Sequence, residues 1–145
     1  MDRRTFLLSG TVLASALTAA QSDASKLDVQ VTYTGSGTVD DSHKIYVMLW
    51  DTPDFVTGNS AAAPIASQTI SSKSDVAHFD GLQKSPVYVS MVYDPSGKWD
   101  AASPPPSGST VGLYSTEPGT PAPIKLEPGK TTKVSATLDD SSKMP

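Results

Sequence analysis

Cysteine is absent from the 145 residues. That absence excludes disulfides, thiolate metal sites, a cysteine nucleophile and lipid attachment through a thiol. Arginine stops at Arg3 and Arg4, and every later basic side chain is a lysine. Histidine is limited to His43 and His78. No apolar run reaches the roughly 20 residues that a permanent membrane-spanning helix needs. The formal charge is −4 and no basic cluster interrupts it. Nucleic-acid binding is driven by Lys and Arg replacing counterions, so that partner class is excluded. Anionic membrane surfaces are disfavoured for the same reason. Sustained helical periodicity is also missing from everything after the first twenty or so residues.

The chain does have 37% hydrophobic residues, 12 prolines and 10 glycines. Those proportions suit one loop-rich globular domain with a modest core. The first twenty residues, MDRRTFLLSGTVLASALTAA, begin basic, continue apolar through Phe6, Leu7 and Leu8, and end in small side chains. That design is a cleavable signal helix. Arg3-Arg4-Thr-Phe-Leu-Leu resembles the twin-arginine export motif, departing from its commonest form at Asp2 and Leu8. The resemblance implies a periplasmic or extracellular destination. Cleavage is expected after Ala20, with Ala16 and Ala24 as alternatives, which leaves no membrane span. Loss of residues 1–20 leaves 9 basic and 14 acidic side chains, a net charge of −5.

The remainder alternates with period 2, as strands with one buried face do. Leu27, Val29, Val31 and Tyr33 share one face of KLDVQVTYT. KIYVMLWD is apolar on both faces, so a central strand covered on both sides is expected there, with Trp50 in the core. Weaker strands are expected in IASQTISS and VAHFD. Val87, Val89, Met91 and Tyr93 define PVYVSMVYD, VGLYS and PIKL read as short strands, and TTKVSATLD closes the domain. The fold class is all-β: a single antiparallel sandwich of about seven strands over 27–139, followed by a polar C-terminal tail, 140–145.

VAHFDGLQKSPVYVSMVYD carries Phe79, Gly81, Leu82, Tyr88 and Val89, close to a Phe-x-Gly-Leu…Tyr-x-Val pattern but with Val89 directly after Tyr88. This stretch resembles transthyretin-like, carboxypeptidase-regulatory-like domains, with Ser85-Pro86 where Pro-Gly is more usual. IKLEPGKTTKVSATL is similar to their closing turn and strand. The resemblance implies an accessory, adhesive or scaffolding module. Two enzyme families of related architecture fail on their motifs. Hydroxyisourate hydrolases end in Tyr-Arg-Gly-Ser, whereas this chain ends in LDDSSKMP. Intradiol dioxygenases hold iron through a His-x-His pair, whereas His43 and His78 stand far apart.

No Gly-x-Ser-x-Gly elbow is present for a serine hydrolase. The acidic doublets Asp40-Asp41 and Asp139-Asp140 and the pair Asp51/Asp54 sit beside turn residues, where carboxylates are solvated. No catalytic residue and no cofactor is assigned. The reading is a non-enzymatic exported module that binds a protein or cell-envelope component. The alternatives are a glycan-binding module and an accessory subunit exported with an enzyme.

Two candidate sites centre on YDPSGKWDAASPPPSG, one of them with Tyr114 beyond it. Tyr93, Trp99, Asp100 and Tyr114 are the residues for a glycan, since aromatic faces stack on sugar rings and Asp100 bonds hydroxyls. Otherwise Trp99 plugs the end of the sandwich. Asp94, Ser96 and Asp100 alternate as oxygen ligands for a hard cation, without the glycine spacing or the bidentate glutamate of an EF-hand. The competing account is a tight turn, Asp94-Pro95-Ser96-Gly97, with proline preset for its second position and glycine at its last. On that account calcium is not needed for folding.

Overall fold

The computed structural model describes residues 24–57 and 62–145. Arg3, Arg4 and the expected signal helix lie outside the described residues. Among the described residues there are seven strands: β1 (Ser25–Tyr33), β2 (Ile45–Trp50), β3 (Ala66–Ile70), β4 (Ser74–Leu82), β5 (Tyr88–Tyr93), β6 (Thr110–Leu113) and β7 (Thr131–Leu138). A short 3-10 turn, Pro53–Thr57, follows β2. The strands form a three-stranded sheet, β4-β1-β7, and a four-stranded sheet, β3-β2-β5-β6. The fold is thus the expected all-β sandwich. Among the described residues no helix is long and apolar enough to cross a membrane.

Alternation dictates the core. Leu27, Val29, Val31 and Tyr33 of β1 face Ile45, Val47 and Leu49 of β2 and Val89, Met91 and Tyr93 of β5, all of them buried. Each such aliphatic side chain contributes about 1.5–3 kcal/mol through burial. β2, apolar on both faces, lies between β3 and β5. Its second face is covered by a smaller cluster of Met48, Val92 and Trp99, with Tyr46, Trp50 and Val111 packed against it.

Three expectations need correction. Pairing is not antiparallel throughout: β1 and β7 run parallel, from Lys26 opposite Thr131 to Tyr33 opposite Leu138. PIKL is no strand. Pro121 and Pro123 interrupt any ladder there, and what remains is a single bridge, Val87 to Ile124, while Ile124 and Leu126 are still buried. Trp50 is not in the inter-sheet core. It lies half-buried on the outer face, stacked on Phe55 at 4.6 Å with its indole N–H donated to Ser90 Oγ. The polar C-terminal tail lies along β6. Val111 N–H donates to Ser142 O at 3.0 Å, and Met144 N–H to Ser109 O at 2.8 Å, so 142–144 covers the outer edge of β6.

Candidate functional site: a braced loop pole

Strand directions gather four connections at one end of the sandwich. β1 and β7 both end there, β2 begins opposite the last residue of β5, and Thr110 of β6 pairs with Tyr93. The loops 34–44, 71–73, 94–109 and 139–144 are therefore neighbours. Lys73 Nζ, for instance, donates to Gly35 O at 2.9 Å. Loops held on a rigid scaffold are the usual place for binding residues.

Three of these loops use one device. In Asp40-Asp41-Ser42, Asp94-Pro95-Ser96 and Asp139-Asp140-Ser141, the serine N–H donates to the first aspartate's Oδ1, at 2.9 Å each time. Such turns substitute a carboxylate for a backbone carbonyl and fix the chain locally. The Asp-x-Ser spacing is legible in the sequence, although the acidic doublets invite the different reading of solvated carboxylates.

The Asp94 turn is the most completely filled. Its Oδ2 accepts from Lys98 N–H at 3.1 Å and from Trp99 N–H at 2.9 Å, while Ser96 Oγ approaches both carboxylate oxygens. Gly97 N–H closes the tight turn onto Asp94 O at 3.0 Å. Burial alone pushes this carboxyl up, but the hydrogen bonds from Ser96, Trp99 and Lys98 outweigh it and hold Asp94 below the usual range. Gly97 has φ +71°, and a Cβ there would strike the Ser42 carbonyl oxygen. The Asp94 turn therefore packs directly on the Asp40 turn.

Of the residues singled out for a cation, Asp94 and Ser96 bond each other and Asp100 is engaged elsewhere. Asp94 is engaged by N–H and O–H donors, whereas Asp100 turns away to accept from Ala102 N–H at 3.0 Å. Among the described residues no three His, Asp or Glu side chains gather in metal-binding geometry. His43 and His78 are on different parts of the molecule. His43 Nδ1 meets Asp40 at the pole, and His78 Nδ1 meets Asp28 on the outer face of the three-stranded sheet, both at 2.8 Å.

The aromatic set for a glycan is also divided. Tyr93 is 3% exposed and faces the core, where its hydroxyl donates to Thr38 O at 2.6 Å. Trp99 is 9% exposed on the opposite face of the same sheet. There it meets Tyr46 edge-on at 4.8 Å, accepts that tyrosine's O–H at its carbonyl and donates its indole N–H to Ser103 O. Tyr114 is half-buried against the core. Trp99 and Tyr93 thus offer a sugar ring no open face, and Trp99 covers a sheet face rather than plugging the sandwich end. The cause is β2: its outward Tyr46 and Met48 need an apolar cover, and Trp99 supplies it.

The pattern left one cluster hidden. Asp140 accepts from Tyr33 O–H at 2.6 Å, Ser36 N–H at 3.0 Å and Thr110 Oγ1 at 3.2 Å. The hydrogen bonds from Tyr33 and Ser36 lead in holding this carboxyl down at about 2. The Tyr33 hydroxyl is pushed up by burial first and by Asp140 second. Tyr33 in turn lies 5.0 Å from Tyr93, ring to ring. Nothing in an isolated Asp-Asp-Ser triplet announces this convergence, because its partners come from β1, β6 and the loop after β1.

Between the Asp40 and Asp94 turns lies a depression of about 160 Å³, bordered by Asp41, Lys44, Tyr46 and Trp99. Sites that enclose a small molecule typically occupy about 300–1,000 Å³. The depression at the pole is smaller than that. Comparison of the sequence with protein-family models and with curated proteins finds no match.

Proposed function

We propose that this chain is an exported, non-enzymatic β-sandwich module of the transthyretin-like, carboxypeptidase-regulatory-like kind, which binds or scaffolds a protein or other cell-envelope component. The braced loop pole carries the reading: its loops are fixed in advance by their own carboxylates, so they present a preformed surface. Asp40, Asp94, Asp139 and Asp140 all act as internal acceptors at this pole. A carboxylate occupied by donors from within the fold serves as a brace and not as an acid or base. The twin-arginine-like start supports export to the periplasm or beyond. The Phe79–Val89 stretch, which leads from β4 in one sheet to β5 in the other, supports the family likeness.

The test compares the protein with a variant in which the exposed run Ala101–Pro104 is replaced by Gly-Ser repeats. Binding to envelope fractions of the source cell is expected to weaken at least tenfold, while the thermal midpoint stays within a few degrees. Turnover of esters, glycosides or purine-derived substrates, abolished by a single substitution, would overturn the non-enzymatic reading.

A further inference from the structure

Three consecutive prolines, Pro104-Pro105-Pro106, cross the pole between two fixed posts. At the first, Ser103 O accepts the Trp99 indole N–H at 2.8 Å. At the second, Pro106 O accepts from Ser109 N–H at 3.1 Å, and Gly108 N–H donates to Met144 O at 2.9 Å. The chain enters the run through Ala101 at φ +66°, a left-handed backbone that a residue with a Cβ rarely adopts. Beyond that point chemistry dictates the path. Each ring sets its own φ near −65°, and each proline confines the residue before it to extended backbone. The peptide bonds that precede these three rings are trans. The run is therefore a turn of polyproline II helix, with three residues around and a rise of about 3.1 Å per residue.

Pro104 and Pro106 are exposed while Pro105 is half-buried, so the turn rests on one ring and offers the other two. Proline has no N–H to give, and the carbonyls of Pro104 and Pro105 accept no backbone hydrogen bond from the described residues. The outward side thus combines apolar rings with acceptors and has no donor. We infer that this turn is the contact element of the pole, and that its partner is a protein with a shallow groove lined by Tyr and Trp side chains. Aromatic faces pack on the rings, while phenol or indole groups donate to the two carbonyls. A flat apolar patch would bury those acceptors unpaired, and a charged surface meets no charge in the run. Because the helix is already formed, binding freezes little backbone. The inference rests on the binding role proposed for the pole and names the chemistry of its partner.

The probes for the test are isolated domains with aromatic-lined proline grooves, of the SH3 and WW kinds, titrated into the isotope-labelled protein. At millimolar concentration at least one is expected to shift the resonances of Ser103–Ser107 saturably and to leave β1 and β7 unmoved. Replacing the run by Pro104→Ala, Pro105→Ala and Pro106→Ala together keeps small apolar side chains but removes the preset helix. That variant is expected to bind the probe at least tenfold more weakly, with the thermal midpoint within a few degrees and tryptophan emission unchanged. Its binding to envelope fractions is expected to fall at least tenfold as well. If the triple substitution lowers the midpoint further, Pro104→Ala alone, at an exposed ring, makes the same comparison. The inference is overturned if no probe moves the loop, or if the variant binds a probe as well as the wild type does. Undiminished binding of the variant to envelope fractions would also overturn it. In that case a loss on Gly-Ser replacement of 101–104 leaves the binding role of the pole standing, and no loss removes both.

Discussion

Asp94 shows how much of this fold rests on single acceptors. It is buried, and three backbone N–H groups point at it: those of Ser96, Lys98 and Trp99. Asp94→Ala leaves those donors without a partner, at a cost of about 3 kcal/mol. The expected fall in thermal midpoint is on the order of 10 °C, together with a red shift of tryptophan emission as Trp99 loses its seat. Since the same oxygens are already filled, millimolar calcium and excess chelator should give the same midpoint. A bound ion at 100 times its dissociation constant would add about 2.7 kcal/mol and be visible at once.

Asp140 makes a prediction about acid. Its folded-state value is about 2, against an ordinary 3.8, because Tyr33 and Ser36 donate to the charged form. A depressed carboxylate contributes stability that is complete above its ordinary value and lost as pH falls through its folded one. The thermal midpoint should therefore drop between about pH 4 and pH 2, in the window set by those two values. Asp40, Asp94 and Asp139, which are also held low, act in the same direction. In Asp140→Asn the fall over that window should be shallower. Midpoints measured from pH 7 to pH 2 decide it, and parallel curves for the two proteins would remove Asp140 as a source of the acid sensitivity.

Among the elements, those with period-2 patterning were legible and those defined by coverage were not. Leu27-Val29-Val31-Tyr33 and Val87-Val89-Met91-Tyr93 declare a buried face whatever lies opposite. β2 declares two covered faces, but its cover, Trp99, comes from a polar loop whose composition suggests exposure. Ile124 joins the core through one bridge between prolines, a placement without a periodic signature. Residues 142–144 become edge-covering only because β6 is brought beside them. Deleting Ser142–Pro145 should leave the sandwich folded yet speed amide exchange at Gly108 and Val111, whose N–H groups now donate to Met144 O and Ser142 O. Unchanged exchange at those two positions would mean that the C-terminal segment does not protect the edge.

For the whole molecule, the candidate site was only partly legible. The Asp-x-Ser spacings mark where the loops are pinned, and the tight turn at Asp94 could be read from proline and glycine alone. Their convergence on one pole could not, because it follows from strand directions and in particular from the parallel pairing of β1 with β7. That pairing also makes the first described strand depend on the last. A chain truncated before Thr131 is expected to lack cooperative thermal unfolding, since β1 then keeps only β4 as a neighbour in its sheet. A sharp melting transition in such a fragment would contradict this.

The parallel pair has a further consequence in time. Ser25 and Thr131 are separated by about 100 residues, which a ribosome adding about 5–20 residues per second needs roughly 5–20 s to deliver. Throughout that interval the apolar face of β1 has no complete sheet to belong to, so the domain cannot close while it is being made. Its folding waits on distant pairings, which places it among slow folders. Until Thr131 has been added, the apolar face of β1 stays without its parallel partner.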